Sequence, residues 1–365
     1  MLLQFGAGNF LRAFVDLFVS QTGFDKIVVV QSTGIERAEA INRAGGRYHV
    51  AIQGFMNGKV IDETEEVTSI SHALHAGTQW EQVLAVGSDP ELKWIISNTT
   101  EAGFALDEAD GSANTFASAP PASFPAKLLC VLLHRHDAGL GGVTVIPCEL
   151  IENNGQRLRE LVLEQAARWN VPTAAQDWIR NECTWVNNLV DRIVPGAPKE
   201  HALLGKDPLL LSAEPFAFWA IETEGEFPLK HPAIVPTSDI GPYYLRKVRI
   251  LNGLHTALAS YALPKGIETV REAVEHPEVG PWLNKLLFEE IVPVLEGRVE
   301  DPAGFANATL DRFRNPFLEH KLSSIALNHE AKFKVRLLPT YEDYKAKFGK
   351  EPEILGSLVE AAKIS

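Results

Sequence analysis

The opening of the chain restricts its fold more than any other segment. Leu2-Leu3-Gln4-Phe5 reads as an apolar strand, Gly6-Ala7-Gly8-Asn9-Phe10-Leu11-Arg12 as a glycine turn, and Phe14, Val15, Leu17, Phe18 and Val19 as the apolar face of a helix. A glycine turn of this kind lets backbone amides approach an anion, and aligned peptide dipoles at a helix start favour negative charge. A second apolar strand, Ile27 to Val30, follows at the spacing of a strand-helix-strand unit. Leu11 occupies the third-glycine position of the usual pattern, and Gln31-Ser32-Thr33 replaces the carboxylate that usually holds an adenosine ribose.

Beyond this unit, apolar strands alternate with helical runs as far as about Pro195. Strands are expected at 48–55, 59–61, 94–97 and 143–147, and helices at 79–86, 124–136 and 156–169. Alternation of this kind predicts a mostly parallel sheet covered by helices. The segment 106–123, rich in Ala, Ser, Pro, Asp and Gly, reads as a surface loop. From about Gly196 helical runs dominate, at 243–262, 280–295, 310–315 and 322–328, with an extended aromatic stretch at 214–222 crossing between domains. The expected architecture is α/β: a Rossmann-like doubly wound sheet over residues 1–195, then a mainly α-helical substrate domain over 196–365, with the active site in the cleft between them.

A net charge of −13 argues against nucleic acid or an anionic membrane as partner. Three cysteines, Cys130, Cys148 and Cys183, without Cys-x-x-Cys spacing, fit reduced thiols better than a disulfide framework. No basic apolar leader precedes the first strand and no run has the length of a membrane span, so a cytoplasmic protein is expected. The closest histidine pairs, His72 with His75 and His134 with His136, lack the context of a zinc motif, and no catalytic metal is expected.

Residues 247–258, KVRILNGLHTAL, set Lys247, Asn252 and His255 in an otherwise apolar helix, where unpaired polar atoms are costly. On an ideal α-helix Asn252 lies roughly 140° round from Lys247, and His255 roughly 80° round. The three therefore share one broad face and suit proton transfer at a carbonyl or alcohol carbon. A core histidine with snorkelling cations is the bland alternative.

Together the two ends resemble the polyol-specific long-chain dehydrogenase and reductase family. The likeness runs through FGAGNFLRAF, SNTTEAGF (97–104), PCELIENNG (147–155), NNLVDRIVPG (187–196), RKVRILNGLHTAL, RNPFLEHKLSSIALN and KFKVRLLPTYEDY, in order over nearly the whole chain. CELIENNG is similar to the branch acting on sugar acids. The resemblance implies reversible hydride transfer between NADH and a sugar-acid ketone, tagaturonate first, with fructuronate or a mannitol-type polyol as rivals. A catalytically impaired nucleotide-binding protein is the alternative from another class. Relative to the family the chain is short, and C-terminal helices are expected to be missing, which leaves the oligomeric state open.

Residue by residue, the resemblance and the chemistry give Lys247 as acid and base, Asn252 as oxyanion donor, and His255 as a holder of a substrate hydroxyl or of the lysine. Asn154, or its neighbour Asn153, would supply a second amide; a turn or cap is the competing reading. NAD would be held by Gly6, Gly8, Asn9, Phe10 and Arg12 and, beyond the strand at 94–97, by Thr99, Thr100 and Glu101. Asn187 and Asp191 would bind substrate or fix the domain junction with Arg192. A uronate needs a cation, for which Arg314, Arg336 and Lys334 are candidates, and His320 would join the pocket.

Overall fold

The computed structural model describes residues 1–99, 103–111 and 119–364. The chain forms two compact units: Met1–Ala51, Thr64–Ala213 and Ala217–Ile240 make the first, and Ile52–Glu63, Glu214–Phe216 and Gly241–Ser365 the second.

In the first unit the chain runs β1 (Leu2–Phe5), α1 (Asn9–Arg12), α2 (Val15–Thr22), β2 (Ile27–Gln31) and α3 (Glu36–Arg43). A hairpin follows, β3 (Tyr48–Met56) and β4 (Lys59–Val67), whose Asn57-Gly58 turn takes positive φ at both residues. Its tip, 52–63, counts with the second unit. Next come β5 (Ile70–His75), α4 (Trp80–Gly87), β6 (Trp94–Ser97), α5 (Phe124–Asp137), β7 (Thr144–Pro147), α6 (Asn154–Arg168), α7 (Thr173–Asn181) and β8 (Thr184–Trp185). The main sheet has the order β5-β2-β1-β6-β7-β8 with parallel pairing throughout. The chain winds outward from β1 on one side and from β6 on the other, so the strand order reverses between β1 and β6, where such sheets bind ligands.

Strands buried on both faces read as continuous apolar runs, as Leu2–Phe5 and Ile27–Val30 do. Leu3, Phe5, Val28, Val30, Ile95 and Val145 from the sheet pack with Val83, Leu128, Val131, Leu158 and Val162 from the helices in one core. The loop at 106–123 is anchored at its described ends: buried Asp110 accepts from the Ala122 and Ser123 amides (2.5 and 2.8 Å), and its carbonyl accepts from Trp169 Nε1 (2.6 Å).

The boundary expected near residue 195 falls instead at Ile240–Gly241. After β9 (Asn188–Asp191) the chain adds β10 (Leu211–Ala213), β11 (Phe218–Glu222) and β12 (Ile234–Thr237) to the first unit, where β9, β11 and β12 make a small sheet. Trp219 is fully buried against Phe14, and Phe227 stacks on Trp94 at 4.7 Å. These aromatic contacts tie 214–240, apart from Glu214–Phe216, to the nucleotide-type sheet.

The second unit is helical: α8 (Gly241–Arg246), a π turn (Lys247–Asn252), α9 (Gly253–Ala262), α10 (Val270–Glu275), α11 (Val279–Lys285), a second π turn (Leu286–Ile291), α12 (Val292–Leu295), α13 (Pro302–Phe313), α14 (Leu322–Ile325), α15 (His329–Arg336), α16 (Leu338–Phe348) and α17 (Glu353–Ile364). Leu251, Leu254, Leu258, Leu283, Leu287, Phe305, Phe313 and Leu355 share its core. Glu290, on the second π turn, caps α17 by accepting from the Ile354 and Leu355 amides (2.7 and 2.8 Å). No helix among the described residues is long and apolar enough to cross a membrane.

Candidate active site

Gly6 lies at the reversal of strand order. Its φ is +124°, and a Cβ there would stand 2.9 Å from the Asn98 carbonyl oxygen, so only glycine lets the β1 turn close on the end of β6. Over Gly8 a Cβ would meet nothing within 4 Å, which leaves room for a ligand at the turn. A cavity of about 460 Å³ opens here, lined by Gly6, Gly8, Ser32, Arg37, Thr99 and Lys127 among others. That volume suits a small-molecule pocket. No carboxylate lines it among the described residues, while two cations do, in a chain of net charge −13. This cradle fits a dinucleotide.

Beside it, Glu149 is buried and holds the end of β6, accepting from Ser97 Oγ (3.0 Å), the Thr99 amide (2.8 Å) and Thr99 Oγ1 (3.2 Å). Burial pushes its carboxyl up from the usual range. Thr100 and Glu101 lie outside the described residues.

The helix expected to run on from the glycine turn breaks after four residues, and Arg12 explains the break. It is 3% exposed, donating to the Leu209 carbonyl (2.6 Å) and Asn9 Oδ1 (2.9 Å) over the Tyr48 ring. The Arg12 carbonyl accepts from Tyr48 Oη (2.7 Å) and the Ala13 carbonyl from Arg192 (2.8 Å), so neither continues a regular ladder. Arg12 thus pins the turn through its two terminal nitrogens, while its buried Nε has no partner among the described residues. Asn9 Oδ1 accepts from both Arg12 and Arg37 (2.8 Å). Half-buried Phe10 stacks on Phe14 at 4.8 Å. Arg37 and Lys127 escaped sequence reasoning, because nothing in their local pattern marks a cavity wall.

Asn154, expected as a second amide for the oxyanion, is engaged within the protein. Its amide donates to the Glu149 and Asn188 carbonyls (both 3.1 Å), and its Oδ1 accepts from the Gly155 and Asn188 amides (both 3.0 Å). Both amide hydrogens are engaged, leaving none for a substrate oxygen. Asn153 takes the left-handed conformation just before the helix, exposed to solvent. Asn187 likewise has protein partners: its Oδ1 accepts from the Gln156 amide (3.0 Å) and its amide donates to Glu222 (3.3 Å). Asp191, 5% exposed, ends β9 opposite Phe218.

In the second unit the helix carrying the lysine is not regular. Residues 247–252 form a π turn, in which the Gly253 amide reaches back five residues to the Val248 carbonyl. A π turn sets residues i and i+5 on one face. Lys247 and Asn252 are therefore far nearer in azimuth than an ideal α-helix would put them. Both are half-buried, and the Asn252 carboxamide makes no hydrogen bond among the described residues.

His255 follows one turn on and is 8% exposed, stacked on Phe313 (4.5 Å) and edge-on to His320 (4.7 Å). Its Nε2 finds no partner among the described residues. Burial first, then His320, Arg312, Arg336 and Lys332, hold its pKa well below the ordinary histidine value, so the ring is neutral at pH 7. His320 is shifted down by burial and Arg312.

The cations around His255 differ in their partners. Arg312 is neutralised by a two-point pair with buried Glu214 (3.0 and 2.8 Å) over the Phe216 ring. Arg314 faces Asp311 (3.4 Å) and Lys334 faces Glu330, both in partly exposed ion pairs. Half-buried Arg336 donates to Thr256 Oγ1 (3.3 Å) and Lys332 to the Ile325 carbonyl (2.8 Å); neither meets a carboxylate among the described residues. Lys332 was missed by sequence reasoning, since only the fold brings α15 to His255. No group of three or more His, Cys, Asp or Glu side chains able to hold a metal occurs among the described residues.

Residues 1–234 match the family model of the mannitol dehydrogenase Rossmann domain, and residues 239–361 that of the mannitol dehydrogenase C-terminal domain. The altronate oxidoreductase of Bacillus subtilis (strain 168) is 42% identical over 377 residues, spanning 97% of this chain and 77% of its own. The altronate oxidoreductase of Yersinia enterocolitica is 39% identical over 375 residues, 96% of this chain and 76% of its own. Among solved structures, D-sorbitol dehydrogenase in substrate-free form is similar with a TM-score of 0.82 at 25% identity, covering 95% of this chain and 76% of that one. A mannitol 2-dehydrogenase of Pseudomonas fluorescens, solved with NAD and D-mannitol, shares the fold at a TM-score of 0.76 and 24% identity, covering 99% and 77%.

Proposed function

The chain belongs to the mannitol dehydrogenase family of oxidoreductases, and on that premise we propose that it reversibly reduces D-tagaturonate to D-altronate with NADH, a step of hexuronate breakdown. The observation that carries the choice of a sugar acid is the pair Arg336 and Lys332, which lie near His255 and have no carboxylate partner among the described residues. A neutral polyol would leave both charges uncompensated, whereas a uronate carboxylate neutralises them, and arginine matches its planar geometry. The relatives named altronate oxidoreductase agree with this preference.

The nicotinamide, with its dinucleotide bound along Gly6 and Gly8, supplies the hydride. Lys247 gives a proton to the carbonyl oxygen in reduction and takes it back in oxidation. Asn252, whose carboxamide has no partner among the described residues, donates to that oxygen as negative charge grows on it. His255, neutral and with Nε2 open, accepts from or donates to a neighbouring hydroxyl and so fixes which carbon is presented. NAD as the carrier follows the family likeness. A cytoplasmic setting fits three free buried cysteines.

Absorbance-followed NADH oxidation against D-tagaturonate, D-fructuronate and D-fructose tests the reading. Tagaturonate should give the highest kcat/KM, with fructose at least a hundredfold lower. Fructose turned over as well as either acid would overturn it.

A further inference from the structure

The adenosine end of the crevice is built differently from the usual NAD arrangement. There the last residue of β2 is a carboxylate, which accepts from the ribose hydroxyls and repels a 2′-phosphate. Here β2 ends in Gln31, and the fold consumes its carboxamide: Nε2 donates to the Thr33 carbonyl (2.8 Å) and Oε1 accepts from the Ala38 amide (2.7 Å). What remains is one lone pair on a neutral amide oxygen, which offers a ribose diol no negative charge and does not repel a phosphate. Ser32 and Thr33, both exposed, present hydroxyls to the cavity, and Arg37 forms the adjoining wall.

Arg37 is half-buried and held in place by Asn9 Oδ1 (2.8 Å), the atom that also accepts from buried Arg12. An arginine tethered through a neutral amide keeps its full charge and most of its five donors available. Glu36, adjacent in sequence, turns its carboxylate onto the Ile35 amide (3.1 Å) and does not line the cavity. Glu39 pairs with Arg43 (3.3 Å) on the exposed side of α3. A dianionic phosphate would thus meet a guanidinium and two hydroxyl-bearing residues, with no carboxylate on the wall among the described residues.

We propose that this end of the crevice accepts a 2′-phosphate with Arg37 as its partner, so that the protein uses NADPH alongside NADH. The proposal rests on the dinucleotide reading of the crevice and departs from it only in weakening the discrimination between the two carriers.

Quenching of protein fluorescence on titration with NADH and with NADPH tests it without any sugar. The two dissociation constants should lie within about tenfold of one another. In Arg37→Ala the affinity for NADPH should fall ten- to a hundredfold more than that for NADH, as expected for a charge-assisted contact. Ser32→Asp, which restores a carboxylate beside the ribose without touching Arg37, should shift the ratio in the same direction. In unmodified protein 2′,5′-ADP should displace NADH at lower concentration than 5′-AMP does. NADPH binding more than a hundredfold weaker than NADH, or an equal loss of both in Arg37→Ala, would overturn the 2′-phosphate site while leaving the cofactor reading intact. Failure of both carriers to bind would overturn both.

Discussion

The runs PCELIENNG and KVRILNGLH both bury polar side chains in apolar surroundings, and the fold treats them in opposite ways. In the first, Asn154 has every hydrogen-bonding group answered by backbone of Glu149, β9 and its own helix start. In the second, a π turn brings Lys247 and Asn252 to one face, and His255 keeps an unanswered Nε2. Leaving a buried polar atom unpaired costs about 1–3 kcal/mol, so each such atom calls for an explanation, and beside Lys247 and Asn252 a ligand supplies one. Saturation thus separates scaffolding from chemistry where the sequence pattern alone makes both look functional.

The largest effect should come from Lys247→Ala. Turnover should fall about 10²–10⁴-fold, the usual worth of general acid-base catalysis, while NADH still quenches protein fluorescence with near-native affinity. Stopped-flow or steady-state NADH oxidation measures it, and near-full turnover would remove the lysine from the chemistry.

A buried cluster in the first unit sharpens the contrast, because there the unanswered acceptor calls for a proton and not a ligand. Asp16 is fully buried, with Oδ1 unpartnered and Oδ2 3.2 Å from Tyr48 Oη, whose single proton already goes to the Arg12 carbonyl (2.7 Å). A protonated Asp16 donating to Tyr48 completes the chain of bonds. Burial accordingly pushes its pKa up to about 7, against the opposing pull of Tyr48, Arg12 and Gln4. A carboxyl whose folded pKa is raised contributes stability that is fully present below the unfolded value and is lost as pH rises through the folded one. Urea midpoints should therefore fall between pH 5 and pH 7, on the order of 3 kcal/mol from this group, then level off. Asp16→Asn should flatten that fall; an unchanged pH profile would mean that Asp16 is ionised throughout.

Smaller again is the expected cost of Arg336→Leu. It should lower kcat/KM for D-tagaturonate by roughly 10–100-fold through loss of a charge-assisted contact, and leave the slow fructose reaction within a few-fold. Equal losses on both substrates would assign Arg336 to packing around His255 and break the sugar-acid assignment.

Much of the architecture was legible. Continuous apolar strands and the glycine turn announced a parallel sheet, and the shift to helical runs announced the second unit. The strand β5 was not, because its sequence ISHALH alternates poorly and its register with β2 shifts between Ile27 and Val28. The boundary was misplaced because the aromatic contacts of Trp219 and Phe227 are long-range. At the site, the lysine, asparagine and histidine could be named from spacing, but not the π turn that reorders them. A π turn is one extra residue in a helix and leaves no periodicity to read. Arg12, Asn154 and Arg37 show the same limit, since whether a polar residue pins the fold or faces a cavity depends on partners that are distant in sequence.

The contrast between the two runs is tested most directly by a matched pair, Asn252→Ala and Asn154→Ala, each measured for kcat with saturating D-tagaturonate and NADH and for its urea midpoint. Asn252→Ala should lose about 10²–10³ in kcat with little change in midpoint. Asn154→Ala should lose about 2 kcal/mol of stability while its folded fraction turns over at near-native rate. The reverse pattern, with kcat collapsing in Asn154→Ala and stability in Asn252→Ala, would contradict the account.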